Sequence, residues 1–298
     1  MIDLVILTDK DNITQFSNSN QPIPGFIEDA LLREALEKLG LKVERLAWDD
    51  PHFDWSTTKS VIFRSTWDYF YRYPEFSKWL NTVAKKTRLL NSKDIIRWNI
   101  NKRYLLDLKT HGINIAETFV IARGSQKTLV DLHQELRWSE TVLKPCVSGT
   151  ARHTYKLNAG NLNAHEAIYK DLIENEDMML QPFQYSIVDK GEVSLMFFGE
   201  HFSHAVLKTA KKDEFRVQSN FGGSVKLYEA SDEEILFGEK VLSACPELPS
   251  YARVDIFIDN HGNIALSELE LIEPELWYRL HPESANLHAK QLYKVLVS

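Results

Sequence analysis

The 298-residue chain is 44% hydrophobic and 26% charged, with a formal net charge of −7. This is the composition of a soluble globular protein with room for two or three subdomains. Its negative charge argues against a nucleic-acid partner. The two cysteines, Cys146 and Cys245, show no metal spacing, which excludes a disulfide framework and suits a reducing cytoplasm. No apolar run approaches the roughly 18–20 residues of a membrane span. The opening residues lack the basic start and long apolar stretch of a secretory leader. A cytoplasmic protein without a membrane partner is therefore expected.

The first predicted element is a short apolar strand, Asp3–Leu7. Helical spacing of Phe26, Ala30, Leu31, Ala35, Leu36 and Leu39 predicts a helix that stops at Gly40. Val43–Trp48 and Val61–Phe63 read as strands, and Pro74–Lys86 as a helix. Strands alternating with helices imply a parallel, Rossmann-like unit over residues 1–92. A small α+β module over residues 93–184 follows. It holds one long helix (Asp94–Lys109, closed by Gly112), a strand (Glu117–Ile121) and a helix (Leu129–Trp138). Then come a strand (Thr141–Lys144), a turn-rich loop, a helix (Ala164–Glu174) and a strand (Met178–Pro182). Residues 185–298 change pattern to consecutive strands, Val193–Phe198, His201–Lys208 and Phe215–Gln218. A helix (Asp232–Ala244), a hairpin and a final helix (Pro282–Val297) complete the chain.

The hairpin is the most informative segment. Two alternating apolar runs, Ala252–Asp259 and Ile264–Leu271, flank an Asn- and Gly-containing turn. A turn centred on residues 260–263 sets Asp255 opposite Glu268. Because side chains two apart share a face, Arg253, Asp255, Glu268 and Glu270 then point one way. Facing carboxylates repel, so a positive group belongs between them, and a hard divalent cation such as Mg²⁺ fits oxygen ligands best. A solvated polar face is the alternative.

Other signals are weaker. Lys144-Pro-Cys-Val-Ser-Gly-Thr-Ala-Arg-His153 puts a lysine at a strand end before a small-residue loop. Such a loop can hold phosphate oxygens, though an ordinary turn reads the same way. Met179–Gln184 ends an apolar strand in a polar hinge that can face an adenine edge, or is simply a core strand. Phe215–Ser224 places Arg216, Asn220, Gly222 and Gly223 together, as a ligand approach or a hairpin turn.

The order of these motifs resembles the ATP-grasp superfamily of glutathione synthetases, ribosomal-protein glutamate ligases and D-alanine ligases. In that resemblance Lys102 and Lys144 match the two nucleotide-binding lysines. Gln181, Pro182 and Phe183 match the adenine hinge, and Glu192 the ribose-binding acid. Phe215-Arg216…Asn220…Gly222-Gly223 resembles a segment of the glutamate ligases. Arg253-Val-Asp255 and Glu268-Leu-Glu270 resemble the metal strands of D-alanine ligases, with Glu270 where Asn is usual. The loop after Lys144 is poorer in glycine than in many relatives. The likeness spans roughly residues 95–275. Arg64-Ser-Thr-Trp-Asp-Tyr69 and the Ser203-His-Ala-Val…Lys208 run look most like the cyclo-ligases of cycloserine biosynthesis.

The resemblance implies an ATP-grasp fold with a Rossmann-like N-terminal domain, a lid subdomain and a C-terminal antiparallel sheet. It implies an Mg²⁺-dependent ligase that uses ATP to activate a small carboxylate for attack by an amine, in one molecule or between two. Asp255, Glu268 and Glu270 would hold one or two Mg²⁺ ions. Lys102, Lys144 and Arg216 would neutralise phosphate, Ser148 and Gly149 would lie in a closing loop, and Arg253 would stabilise the transferring group. Arg64, Asn220, Gly222, Gly223 and Arg279 are candidate contacts to amino-acid-like substrates. A structural ion pair between Arg64 and Asp68 is the alternative for the first. Trp67, Tyr69, Trp277, Tyr278, His281, Arg152 and His153 are further pocket or lid candidates. Cys146 is a reactive thiol or a small core filler. A kinase, a nucleotide-binding module and a homodimer are compatible with the same motifs.

Overall fold

A computed structural model describes residues 1–17, 22–212, 214–217 and 221–297. Its first sheet is parallel, ordered β2-β1-β3-β4, from β1 (Ile2–Thr8), β2 (Val43–Ala47), β3 (Thr58–Ser65) and β4 (Arg88–Leu90). Helices α1 (Pro24–Lys38) and α2 (Tyr73–Val83) make the crossovers. The centres of β1 and β3 are buried along their length, as expected of parallel strands covered on both faces. Proline in the first turn starts both helices, where its missing N–H is no loss.

The expected long helix over residues 94–109 is two helices, α3 (Lys93–Ile100) and α4 (Tyr104–Thr110). Asn101 adopts an extended conformation between them. At the joint the Lys102 N–H donates to the Cys146 carbonyl at 2.8 Å instead of to a helical partner. A long-range bond thus replaces a local one, which helical periodicity cannot register.

A second, antiparallel sheet runs β5-β8-β6-β7: β5 (Phe119–Ile121), β6 (Glu140–Pro145), β7 (Tyr155–Asn158) and β8 (Met178–Pro182). Helices α5 (Leu129–Leu136) and α6 (Leu162–Asn175) cover it through Leu132, Leu143, Leu157 and Leu172. Thr128 and Asp131 cap α5 reciprocally, a device worth ~1 kcal/mol. β7 and the short α7 (Tyr185–Asp189) occupy stretches whose sequence shows no period.

The third sheet is antiparallel and ordered β11-β10-β9-β12-β13. Its strands are β9 (Glu192–Phe198), β10 (His201–Thr209), β11 (Ser224–Tyr228), β12 (Tyr251–Ile258) and β13 (Ile264–Glu270). The strand expected at Phe215–Gln218 is absent over its described part, and β11 lies beyond the two glycines instead. The Glu214 carboxylate takes the N–H groups of Phe215 and Arg216, so a side chain satisfies this backbone in place of a ladder.

Alternation along β9 divides the sheet's two faces. Val193, Leu195 and Phe197 pack with α4 and with α8 (Asp232–Ser243). Met196 and Phe198 join Tyr251, α1 and α9 (Glu283–Val297) in a core that ties the first sheet to the third. On this second face the residues turn polar toward the start of β9, at Ser194 and Glu192, and that end carries the site.

Candidate active site

The charged floor is built by register. β12 pairs with β13 at Arg253↔Glu270 and Asp255↔Glu268, as expected. Nearer the turn the partners are Ile256↔Leu266 and Phe257↔Ala265, so Ser267 is an extra residue. The turn is one residue out of step with the acids, and this bulge restores their alignment while bending the strand. On the other side β12 sets Asp255 beside Ser194, and β9 sets Glu192 opposite Lys208 of β10. Gly191 makes that approach possible: its φ is +91°, and a Cβ there would meet the Lys208 carbonyl at 2.4 Å.

Every carboxylate of this floor has a cation. Lys208 bonds Glu192 and lies 3.0 Å from Asp255. Arg253 forks onto Asp255 at 2.9 Å and reaches Glu270, while Ser194 donates to Asp255 at 2.6 Å. Lys102 bonds Glu268. Burial opposes ionisation of Asp255, yet Arg253 and then Lys208 outweigh it and hold the carboxyl well below the usual range. Burial opposes the charged form of Lys102 as well, but Glu268 raises its pKa. Glu270 goes the other way: burial raises it, with Arg253 opposing.

Above the floor lies a cavity of about 440 Å³. Lys144 lines it from β6 and has no ion pair among the described residues. Burial lowers its pKa, with Lys102 adding and Glu268 opposing. The following loop holds Thr150, Ala151 and His153 at φ of 49°, 56° and 48°. Three non-glycine residues in this conformation are a local strain of the kind found at ligand clamps. The loop is pinned by the Arg152–Glu176 pair at 2.6 Å. It also docks on the first domain: a Cβ on Gly149 would meet the Phe70 ring at 2.5 Å.

Most of the sequence candidates converge here. Lys102, Lys144, Ser148, Gly149, Gln181, Pro182, Phe183, Glu192, Arg216, Arg253, Asp255, Glu268, Glu270 and Arg279 all line the cavity. So do Trp67, Tyr69 and Trp277.

Others fall elsewhere. Arg64 is 2% exposed and outside the cavity lining: it donates to the Pro274 carbonyl at 2.9 Å and lies 3.9 Å from Asp29. The expected pair with Asp68 is also absent, because Asp68 serves Arg72 and Trp48. Gly222 and Gly223 are not on the cavity wall, and Asn220 lies outside the described residues. Arg152 and His153 hold the loop rather than face the cavity, the latter through Tyr155. Tyr278 is core, its hydroxyl 2.6 Å from His288. His281 stacks on His204 at 4.9 Å. Cys146 is 1% exposed and burial pushes its thiol up to about 12, which makes it a filler and not a nucleophile. At the hinge, the Phe183 N–H is taken by Glu140 and its carbonyl by Asn260, so its ring, not its backbone, is what it offers.

Sequence reasoning missed Lys208, Glu273 and Glu275 as cavity-side residues, and Ser194 as the buried partner of Asp255. Lys208 and Ser194 sit at alternate positions of strands already recognised, and their parity with Asp255 was the available signal. Glu273 and Glu275 follow the hairpin in irregular backbone, where no period announces them.

Asp255, Glu268 and Glu270 would offer a divalent ion hard oxygens from one cavity wall. As placed, these carboxylates answer Lys102, Arg253 and Lys208, and no three acidic, His or Cys groups converge to a metal-holding cluster among the described residues.

Comparison with known proteins places the chain in a family. Residues 5–91 match the family model described as the N-terminal domain of D-cycloserine synthetase DcsG. The cycloserine biosynthesis protein DcsG of Streptomyces lavendulae is 30% identical over 260 residues, covering 82% of this chain and 86% of that protein. The crystal structure of D-cycloserine synthetase DcsG superposes with a TM-score of 0.87 at 27% identity, over 98% of this chain and 99% of that one. The ATP-grasp ligase PsnB, in complex with a phosphomimetic variant of its minimal precursor, Mg and ADP, gives 0.65 at 13% identity, over 100% and 99% of the two chains, and so shares the fold.

Proposed function

The chain belongs to the ATP-grasp ligases as a relative of D-cycloserine synthetase, an ATP-dependent enzyme forming C–N bonds, and we propose that it activates a small carboxylate as an acyl phosphate. The observation that carries this reading is the cavity floor, where Glu192, Asp255, Glu268 and Glu270 alternate with Lys102, Lys208 and Arg253 while Lys144 stays unpaired. A site of balanced charge with one spare cation suits a polyanion that arrives with its own counter-ion, as a nucleoside triphosphate does.

In this reading a carboxylate oxygen of the substrate attacks the γ-phosphorus and ADP leaves. An amine or similar nucleophile then adds to the acyl carbon, and inorganic phosphate departs with that oxygen. Lys144 and Arg216 neutralise phosphate oxygens, and Lys102 does so after release from Glu268. Arg253, fixed by Asp255 and Glu270 beneath the Trp277 ring, faces the charge that develops on the transferring group. The strained loop at Ser148–Thr154 shields the acyl phosphate from water. Asp255, Glu268 and Glu270 would hold Mg²⁺, which would supply further neutralisation of phosphate charge. Arg279 stands at the substrate end, paired with Glu28 at 3.0 Å.

The test is ADP release from Mg-ATP across a panel of amino acids and other small carboxylates, with hydroxylamine present. Trapped hydroxamate together with ADP is expected. A stable phosphorylated product in its place marks a kinase, and ATP binding without turnover marks a binding module.

A further inference from the structure

Among the described acids that line the cavity, one lacks a cation partner. Glu192, Asp255, Glu268 and Glu270 each meet a cation, and Glu275 meets Arg279. Glu273 also lines the cavity, yet no Lys, Arg or His among the described residues lies within 4.0 Å of its carboxylate. Nor does this side chain stand there for want of anchoring. The Trp67 indole donates to the Glu273 carbonyl at 3.0 Å, and Arg64 donates to the next carbonyl, Pro274, at 2.9 Å. Two residues from the end of β3 and the loop after it therefore fix the backbone that carries this acid at the cavity wall. Tyr69 lines the same stretch of the cavity. Burial, and then the Glu270 charge, push its carboxyl up to about 8, so keeping it ionised without a partner is unfavourable. A half-buried carboxylate on fixed backbone, lining the cavity with Trp67 and Tyr69, is a receptor for a positive charge.

We infer that Glu273 is a specificity-determining residue that receives a cationic nitrogen of the substrate, beside Trp67 and Tyr69. The carboxylate to be activated then carries an ammonium, and the neutral or anionic analogue lacking it leaves Glu273 unpaired. This inference rests on the ligase reading above.

The test uses the full-length enzyme with Mg-ATP and matched pairs: a panel of amino acids against the corresponding hydroxy acids and deamino acids, read by ADP release. The expected preference for the amino member of the productive pair is at least ~30-fold in kcat/KM, the equivalent of ~2 kcal/mol for a charge left unpaired at the cavity wall. Glu273→Gln collapses that preference, Glu273→Asp retains part of it, and both leave ATP affinity unchanged by calorimetry. Apo Glu273→Gln melts no lower than wild type, which separates recognition from a structural role. Equal rates on both members of the pairs overturn the proposal. So does a Glu273→Gln enzyme that keeps the preference but needs more Mg²⁺, because that makes Glu273 a metal ligand. No ADP release with any carboxylate, despite ATP binding, overturns the ligase reading and the inference with it.

Discussion

Lys208 sits where Glu192 and Asp255 converge, and its place was half legible in the chain. The alternation of β10 is clear in Ser203–Lys208, but which acid a buried lysine meets depends on pairing between strands far apart in sequence. The acidic hairpin was more legible because its two halves are adjacent: Asp255↔Glu268 follows from turn position and parity, and only the bulge at Ser267 escapes them. Arg64 misled for a related reason. A guanidinium at a strand end looks like a carboxylate receptor, and nothing local announces that the Pro274 carbonyl and the Tyr251 and Tyr278 rings enclose it. At this scale the decisive variant is Glu268→Gln. It keeps the side-chain shape and a bond to Lys102 but removes the charge offered to Mg²⁺. Turnover should fall at least ~100-fold, roughly 2.7 kcal/mol in the barrier, with ATP affinity largely retained. Near-normal turnover in Mg²⁺ removes Glu268 from the metal set.

Elements place these residues by breaking as much as by continuing. The chain leaves helix at Asn101 so that Lys102 can bond the Cys146 carbonyl, which joins the α3–α4 corner to the start of the loop after Lys144. Sequence periodicity identified the helix faces and could not see the corner, since Ile95, Ile100, Leu105 and Leu108 remain buried through it. The same limit hid β11, whose exposed positions leave little apolar pattern to read. The loop after Lys144 is the element to perturb. Gly149→Ala forces the Phe70 ring or the loop to move, because the added Cβ has 2.5 Å where contact needs well over 3 Å. The expected outcome is a several-fold rise in KM for ATP, and futile ATP hydrolysis as water reaches the acyl phosphate. A variant with unaltered KM and coupling separates loop docking from catalysis.

At the scale of the whole molecule, buried histidines sit beside the core that ties the first sheet to the third, with His288 against Phe198, Tyr251 and Tyr278. Burial, and then the neighbouring His281, lower His204 to about 4, and burial and then Arg64 push His288 well below its ordinary value. Both folded-state values lie below the unfolded ~6.5. Protons therefore favour the unfolded chain: stability is full above pH ~6.5 and lost as pH falls toward 4, by up to ~3 kcal/mol for His204. Melting curves should show this slope, and His204→Asn should flatten it. At the basic end, Glu273 has its folded value raised to about 8, so its contribution is lost as pH climbs from the unfolded range toward 8. Fold class and the order of the site motifs were readable because strand and helix periods are local. Glu273 and Glu275 were not, because they meet Trp67, Tyr69 and Arg279, which the chain did suggest, only through contacts far apart in sequence.

The central claim is that a carboxylate oxygen passes to phosphate on the way to the new bond. Supplying the substrate with its carboxylate labelled with oxygen-18 and following the released phosphate by mass spectrometry tests it directly. One labelled oxygen per phosphate is the expected result; unlabelled phosphate, with all the label retained in the product, contradicts it.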